Sequence, residues 1–109
     1  MASIDDFLKL DIRVGTIVGA EFFEKAKRPA YQLEIDFGEE FGVKKSSAQI
    51  TKFYNTKELV GKQVLAVINL PPRQIANFMS EVLVLGTYSD EGVVLIAPDR
   101  HVKNGDKLG

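Results

Sequence analysis

The chain contains no cysteine, one histidine and no apolar run longer than five residues. Without cysteine, disulfides, thiolate metal ligands and a cysteine nucleophile are excluded. A membrane-spanning helix requires about 20 mostly apolar residues, so the apolar run at residues 64–68 is too short. The first residues carry acids and lack the apolar segment of a secretion signal. We therefore expect a protein of the cytoplasm that does not insert into membranes.

Catalytic and metal-binding patterns are missing as well. His101 has no further ligands at metal-site spacing, and neither an oriented nucleophile and base nor a Gly-rich phosphate loop is present. The adjacent acids at residues 5–6 and 39–40 lie at a predicted helix start and in a predicted turn, where capping and solvation account for them. We therefore expect a protein that is not an enzyme and needs no metal or cofactor.

The charge that is present is distributed unevenly along the chain. Residues 1–43 hold nine acidic and five basic side chains, residues 44–80 hold one and six, and residues 81–109 hold five and three. The net charge of -1 therefore conceals a basic central segment. Such a segment can steer an anionic partner, but exposed lysines also keep an ordinary surface solvated. The charge pattern alone leaves both interpretations open.

The N-terminal residues predict a short helix at residues 4–9. Ser3 and Asp6 have the spacing of a capping box, in which side chains and backbone amides bond reciprocally at the helix start. Phe7 and Leu10 are the expected apolar anchors of this helix.

A long strand is predicted at residues 12–23 because apolar residues recur at every second position. Gly15 and Gly19 interrupt it, and glycine inside a strand indicates a bulge or a sharp bend. The residues expected on one face of this strand are Ile12, Val14, Thr16, Val18, Ala20 and Phe22.

The remaining elements follow from alternation and from turn residues. A single helical turn is expected at residues 57–60, capped by Asn55 or Thr56 and ended by Gly61. A turn at residues 89–92 joins the last two strands as a hairpin. Further strands are predicted at residues 31–37, 43–50, 63–70, 82–87 and 93–97. The strand at 43–50 is polar and is expected to present an exposed face.

This order of elements predicts an all-β fold. Five or six strands with a short helix between the third and the fourth are typical of the OB-fold, a five-stranded Greek-key barrel. A short helix precedes the barrel. No linker or repeat divides the chain, so residues 1–109 are expected to fold as one domain.

The segment between the fourth and fifth predicted strands carries the candidate ligand contacts. Pro71 and Pro72 end the strand and preset the direction of the chain. Arg73, Gln74 and Ser80 then supply donors suited to phosphates and unstacked bases.

Each of these residues also has a structural interpretation. Arg73 can form an internal ion pair with Glu81 as readily as it can contact a ligand. Ile75 and Phe78 are core residues in one interpretation, and in the other they form an apolar surface for peptides.

Three motifs stand at consistent spacing: DIRVGTI at residues 11–17, KELVGK at 57–62, and Asn69-Leu70 followed by Pro72-Arg73 and Ser80. Together they are similar to the tRNA-binding domain family. This OB-fold module, related to the cytokine-like EMAP II group, occurs at the C-terminus of many methionyl-tRNA synthetases and also alone. The resemblance spans essentially the whole chain.

Longer matches resemble a free-standing group within that family, the CsaA-type export chaperones. They are IDDF at residues 4–7, KLDIR at 9–13, IDFG at 35–38, SSAQIT at 46–51 and SEVLVLG at 80–86. This resemblance implies a cytoplasmic homodimer that binds unfolded preproteins and the export ATPase SecA.

The chain departs from the synthetase-linked pattern near the candidate loop. Ala48-Gln49 replaces a Ser-Gly pair, Pro71 replaces a basic or small residue, and Glu81-Val82 replaces the x-Gly that follows the serine. These changes remove a hydroxyl and two glycines and add an acid. Because each lost phosphate contact weakens RNA binding, they favour a protein ligand.

We therefore predict a non-enzymatic chaperone that binds unfolded, export-destined polypeptides as a homodimer. The alternative is a module that recognises the backbone and shape of tRNA. The candidates for RNA binding are Lys45, Lys52, Asn69, Arg73, Gln74 and Ser80, those for peptide binding are Phe53, Tyr54, Ile75 and Phe78, and those for the dimer interface are Ile4, Phe7 and Leu10.

Overall fold

The computed structural model describes residues 1–109 and shows a nearly closed, five-stranded antiparallel barrel, as the OB-fold prediction expects. The strands of its sheet are β1 (Ile12–Phe22), β2 (Tyr31–Asp36), β3 (Val43–Ala48), β4 (Gln63–Val67) and β7 (Leu83–Val84), in the order β3-β2-β1-β4-β7. The remaining elements are α1 (Ile4–Leu8), α2 (Thr56–Leu59), the hairpin of β5 (Arg73–Ile75) with β6 (Phe78–Ser80), and the hairpin of β8 (Gly86–Tyr88) with β9 (Val93–Leu95).

The barrel closes where the chain after β6 meets the outer edge of β3. The Lys45 amide donates to Glu81 Oε1 at 2.9 Å, and the Glu81 amide donates to the Lys45 carbonyl at 2.8 Å. The Ser47 amide donates to Ser80 Oγ at 3.0 Å. Two side-chain oxygens thus take the places that a neighbouring strand would fill, so this edge of β3 has few unpaired amides.

The first half of β1 lies between β4 and the C-terminal segment. Residues 12–16 pair with β4, and pairing with β2 begins only at Thr16. On the other side of this half, the Val14 amide donates to the Asp106 carbonyl and the Leu108 amide to the Ile12 carbonyl, both at 2.9 Å. The barrel therefore includes residues close to both ends of the chain.

The two glycines of β1 have different roles, and only Gly19 adjoins a bulge. A register shift between Ile17 and Gly19 confirms the expected bulge. The prediction that the even-numbered residues of this strand share one face is wrong. Ile12 and Val14 belong to one buried cluster, whereas Ala20 packs against a different cluster that contains Ile17. Val18 is 49% exposed. Gly15 permits close packing instead, since a Cβ there would lie 2.6 Å from Ile35 Cγ2.

The second helix forms where the sequence predicts it. Asn55 is the N-cap: its side chain accepts from the Glu58 amide at 2.8 Å, and Glu58 Oε1 accepts from the Asn55 amide at 2.9 Å. Gly61 follows with a φ of +97°, the left-handed conformation that ends many helices. Leu59 is fully buried in the main core, so α2 closes one end of the barrel.

Helix α1 has the predicted capping box but does not pack into the core. The Asp6 amide donates to Ser3 Oγ at 3.3 Å, and the Ser3 amide donates to Asp6 Oδ2 at 2.9 Å. No residue of α1 is buried, and both Phe7 and Leu10 are exposed. The prediction that these two side chains anchor the helix is therefore wrong for the single chain.

No helix of the protein is long and apolar enough to cross a membrane.

Three clusters of buried side chains make up the core. The main cluster fills the barrel, and a second one packs beneath the C-terminal segment. The third consists of Phe23, Ala30 and Phe78, with the Phe23 and Phe78 rings 5.4 Å apart between centroids. It joins the loop between β1 and β2 to the β5–β6 hairpin and thereby fixes the distance between them.

Several predicted elements differ from the observed ones. Strand β3 presents an exposed face at Val43 and Lys45 as expected, but its opposite face is buried at Ser46 and Ala48. The segment at residues 69–81 is a hairpin rather than a loop, because β5 and β6 pair directly. The predicted strand at residues 82–87 divides near Leu85, since β7 pairs with β4 whereas β8 pairs with β9.

Candidate functional site

A cleft of about 490 Å³ lies between the loop that joins β1 to β2 and the β5–β6 hairpin. No acidic side chain lines it. Four side chains of one sign around a concave surface attract anionic ligands. We call it the basic cleft, and its charged and polar lining residues are Lys25, Lys27, Arg28, Arg73, Ser47, Gln49 and Gln74.

The four cations of the basic cleft are exposed and form no ion pair. The two ion pairs of the structure lie elsewhere, between Lys9 and Asp6 at 3.7 Å and between Arg13 and Asp11 at 2.6 Å. The possible internal pair between Arg73 and Glu81 is not formed. Glu81 instead accepts a hydrogen bond from the Lys45 amide. Unpaired charge leaves these side chains free to bind a ligand.

Packing beneath the cleft sets the distance between its walls. Phe78 is 9% exposed and contacts Phe23 and Ala30. Ile75 is half-buried against the same cluster. The interpretation of Phe78 as part of an exposed apolar surface is therefore corrected: the ring supports the cleft from below.

The turn of the β5–β6 hairpin places Arg73 and Gln74 at the cleft. Ala76 has a φ of +51°, a left-handed conformation that costs a residue with a Cβ about 1–2 kcal/mol. Gln74 Nε2 donates to the Ala76 carbonyl at 2.8 Å and so stabilises this turn. The Gln74 amide group thus already has one partner inside the protein.

Two other RNA-binding candidates, Asn69 and Ser80, form side-chain hydrogen bonds within the protein. Asn69 Nδ2 donates to the Lys9 carbonyl at 2.9 Å, and Asn69 Oδ1 accepts from the Asp11 amide at 2.8 Å. Asn69 therefore ties the chain after α1 to the end of β4. The Ser80 hydroxyl likewise accepts from the Ser47 amide. Their binding roles stay predictions, but each side chain already has a bonding role within the protein.

The two lysine candidates lie at different places. Lys45 Nζ is 5.6 Å from the centre of the Phe78 ring, beside the basic cleft. Lys52 packs instead against Gly92 in the turn between β8 and β9, where a Cβ on the glycine would lie 2.7 Å from Lys52 Cβ. Lys52 does not line the basic cleft.

The aromatic candidates Phe53 and Tyr54 are also outside the basic cleft. Phe53 is exposed beside Gly92. The Tyr54 hydroxyl accepts from the Leu95 amide at 3.0 Å, and its carbonyl accepts from the Tyr31 hydroxyl at 2.7 Å. Tyr54 therefore links β2 to β9, and the four peptide candidates do not form one surface.

Sequence reasoning missed three of the four cleft cations. Lys25, Lys27 and Arg28 fall within four consecutive residues of the segment that is acidic as a whole. The net charge of residues 1–43 did not reveal these three cations, because that segment also contains nine acidic side chains. The available signal was local: three cations in a predicted loop between two strands of an OB-type barrel, where loops present ligands.

A second cleft of about 330 Å³ adjoins the basic cleft on the outer face of β1, β2 and β3. Its lining includes Glu21, Glu34, Gln32 and Lys45. In the backbone register of β2 and β3, Glu34 lies opposite Lys45 and Gln32 lies opposite Ser47. Ser47 also lines the basic cleft. We call this second cavity the acidic cleft. The two clefts therefore follow one another along the same strands.

The N-terminal segment presents an apolar surface elsewhere on the molecule. Ile4 is 70% exposed, and Phe7, Leu8 and Leu10 are exposed as well. All three predicted interface residues are thus accessible in the single chain. Neighbouring apolar side chains in water are typical of a surface that another protein covers.

Comparison with known proteins identifies a family and several similar solved structures. Residues 12–107 match the family described as "Putative tRNA binding domain". The crystal structure of the chaperone CsaA from Bacillus anthracis is 53% identical to this chain, with a TM-score of 0.94 over 100% of this chain and 99% of that one. The CsaA chaperone protein from Picrophilus torridus is 51% identical, with a TM-score of 0.96 over 100% of both chains.

Curated relatives include much longer proteins. Methionine--tRNA ligase of Bacteroides fragilis is 38% identical over 105 residues, which are 95% of this chain and 15% of that protein. The enzyme of Leptospira biflexa is 39% identical over 106 residues, 97% of this chain and again 15% of its own length. The chain thus spans about 15% of the length of the curated relatives it matches.

Proposed function

Because the chain belongs to the tRNA-binding domain family, we propose that it is a non-catalytic binding module of the CsaA chaperone type, which binds unfolded polypeptides as a homodimer. The observation that carries the proposal is the likeness to two CsaA chaperones at 51% and 53% identity over the whole chain. We further propose that its clients are export-destined preproteins in the cytoplasm and that SecA is a partner.

The test of polypeptide binding uses a reduced, unfolded precursor and its folded form as the control. We expect the protein to bind the unfolded form and to suppress its aggregation at one dimer per precursor. The folded form should not bind. Absence of both binding and suppression would refute the chaperone function.

The exposed N-terminal residues support the dimer. A two-fold interface brings the same surface of two protomers together, and each buried Å² of apolar area contributes about 25 cal/mol. Analytical ultracentrifugation at micromolar concentration should give a dimeric mass. Leu8→Glu in α1 should shift the mass to that of a monomer, whereas Leu83→Glu, at an exposed leucine of β7, should not. A monomeric wild type would contradict the proposal.

The second candidate function is tRNA binding, and the basic cleft is the observation that favours it. Four unpaired cations can neutralise phosphates, and no aromatic side chain lines the cleft as a stacking platform for bases. Binding would therefore read backbone and shape rather than sequence. Glu81, the acid expected to weaken it, does not line the cleft.

Salt dependence tests this alternative. Each phosphate contact contributes about -0.9 to the slope of log affinity against log salt, so four contacts correspond to about -3.6. Titration of two different tRNAs at two salt concentrations should give similar affinities and a steep slope. A salt-independent signal, or no signal, would remove tRNA as a ligand.

A further inference from the structure

The outer face of β1, β2 and β3 is divided by charge sign. The acidic cleft contains two carboxylates, Glu21 and Glu34, with Lys45 as its only cation. The basic cleft next to it contains four cations and no acid. A ligand that lies along this face therefore meets opposite charges at its two ends.

We propose that this face selects extended polypeptide segments of mixed charge, with acidic residues in the basic cleft and a basic residue beside Glu21 and Glu34. The inference rests on the proposed binding of unfolded polypeptides and specifies which segments are bound.

The sheet register gives the spacing that such a segment needs. Glu34 and Lys45 form one cross-strand pair of the acidic cleft, and Gln32 and Ser47 form the pair two residues further along. A strand rises about 3.3 Å per residue, so these pairs are about 7 Å apart. Gln49, which lines the basic cleft, lies two residues beyond Ser47. An extended polypeptide spans this distance with opposite charges about two to four residues apart.

Main-chain pairing with the ligand is disfavoured on this face. Strand β2 is bonded on both edges, and the outer edge of β3 is bonded to Ser80 and Glu81. Strand β5 has only three residues and follows Pro71 and Pro72, which cannot donate a hydrogen bond. A polypeptide on this face is therefore recognised through its side chains, and charge is the property that discriminates.

The acidic cleft also distinguishes a polypeptide from a nucleic acid. A nucleic-acid strand carries a phosphate on every nucleotide, so a strand that fills the basic cleft and continues along the face brings phosphates beside Glu21 and Glu34. Like charges at this distance repel, and such repulsion is a common means of specificity. A polypeptide of mixed charge avoids the repulsion and satisfies both clefts.

Three labelled, unstructured peptides of about twelve residues test the proposal by fluorescence anisotropy at low salt. They share a Gly/Ser background, and one carries paired aspartates and lysines about three residues apart, one only the aspartates, and one only the lysines. The protein variants are Arg28→Gln and Glu34→Gln. The matched controls are Lys57→Gln on α2 and Glu40→Gln in the turn after β2, which lie outside both clefts.

The mixed peptide should bind most tightly. Arg28→Gln should weaken the mixed and the acidic peptide about two- to fivefold, the range of exposed charge pairs. Glu34→Gln should weaken the mixed peptide by a similar factor but strengthen the acidic peptide and tRNA. A loss of structure would lower the affinity for every ligand. One substitution that lowers the affinity for the mixed peptide and raises it for the acidic peptide therefore indicates recognition of charge.

The proposal is overturned if the acidic peptide binds as tightly as the mixed one. It is also overturned if Glu34→Gln has no larger effect than the control Glu40→Gln on the affinity for any of the peptides or for tRNA. Tighter binding of tRNA than of any peptide, unchanged by Glu34→Gln, also overturns it and assigns the face to RNA. If an unfolded precursor still binds in these cases, the chaperone function stands. If neither precursor nor peptide binds, both proposals fail.

Discussion

Two groups of polar side chains on the barrel differ in how they are bonded. Arg13 donates to Asp11 Oδ1 at 2.6 Å and to the Gly105 carbonyl at 3.1 Å, and its guanidinium lies 4.7 Å from the centre of the Phe41 ring. Asn69 is bonded on both sides of its amide. We call Asp11, Arg13 and Asn69 the N-terminal clamp. The cations of the basic cleft, in contrast, have no ion-pair partner.

This difference separates structural motifs from binding residues. The clamp lies within two of the segments that resemble the tRNA-binding domain family, yet its side chains are occupied by the protein itself. Three of the four cleft cations come from a loop outside those segments. Substitutions in the N-terminal clamp should therefore lower the free energy of unfolding, whereas substitutions of the cations in the basic cleft should lower the affinity for a ligand.

The largest effect is expected from Arg13→Met, which removes both hydrogen bonds and the contact with the Phe41 ring. We expect the free energy of unfolding to fall by about 2 kcal/mol, because a partly buried charged network is broken. Urea unfolding followed by circular dichroism measures it. Lys9→Met is the control, since the Lys9–Asp6 pair is exposed and contributes at most about 0.5 kcal/mol. Equal effects would contradict the importance of the clamp.

Asn69→Ala should lower the free energy of unfolding by about 1.5 kcal/mol, because the Asp11 amide and the Lys9 carbonyl lose their partner. Amide hydrogen exchange should rise in α1 and at Asp11. The exposed Asn77 gives the control Asn77→Ala, for which no change is expected. Unchanged stability together with weaker tRNA binding would instead make Asn69 a ligand contact.

In the basic cleft, Arg73→Gln should leave the free energy of unfolding within about 0.5 kcal/mol of the wild type. If tRNA binds there, its affinity should fall by about fivefold, or about 1 kcal/mol, and the salt slope should decrease by about 0.9. Titrations against Lys57→Gln provide the comparison. A change in stability without a change in affinity would place Arg73 with the clamp residues.

The smallest effect is expected from Ala76→Gly at the hairpin turn. Glycine removes the cost of the left-handed conformation at φ +51°, and part of that gain is lost to the greater freedom of the unfolded chain. The free energy of unfolding should rise by about 0.5 kcal/mol in urea. A decrease would show that the Cβ of Ala76 makes a favourable contact.

Elements with strong local signals could be predicted from the sequence. The alternation in β2 and the capping residues Ser3 and Asn55 correspond to the observed elements. Gly61 ends the second helix as expected. These features depend on neighbours within a few residues, so the sequence contains the information that determines them.

Features that depend on distant neighbours could not be predicted in the same way. An asparagine side chain can cap a helix, form hydrogen bonds between two loops or bind a ligand. The role of Asn69 is determined by its proximity to Lys9 and Asp11, which the sequence does not reveal. The β5–β6 hairpin also lacked a signal, because its turn has Ala76 at a position where glycine or asparagine is usual. Lys25 and Arg73 lie far apart along the chain, so the cleft between them becomes visible only after folding.

The pairing of β1 with residues close to the C-terminus has a consequence for synthesis of the protein on the ribosome. The bridge between Arg13 and Lys107 forms only after residue 107 has been translated. Contacts over such long separations slow folding, because a large loop must close first. Until then, one edge of residues 12–15 is open to pairing with other nascent chains. A protein proposed to protect unfolded chains thus passes through an unprotected stage of its own.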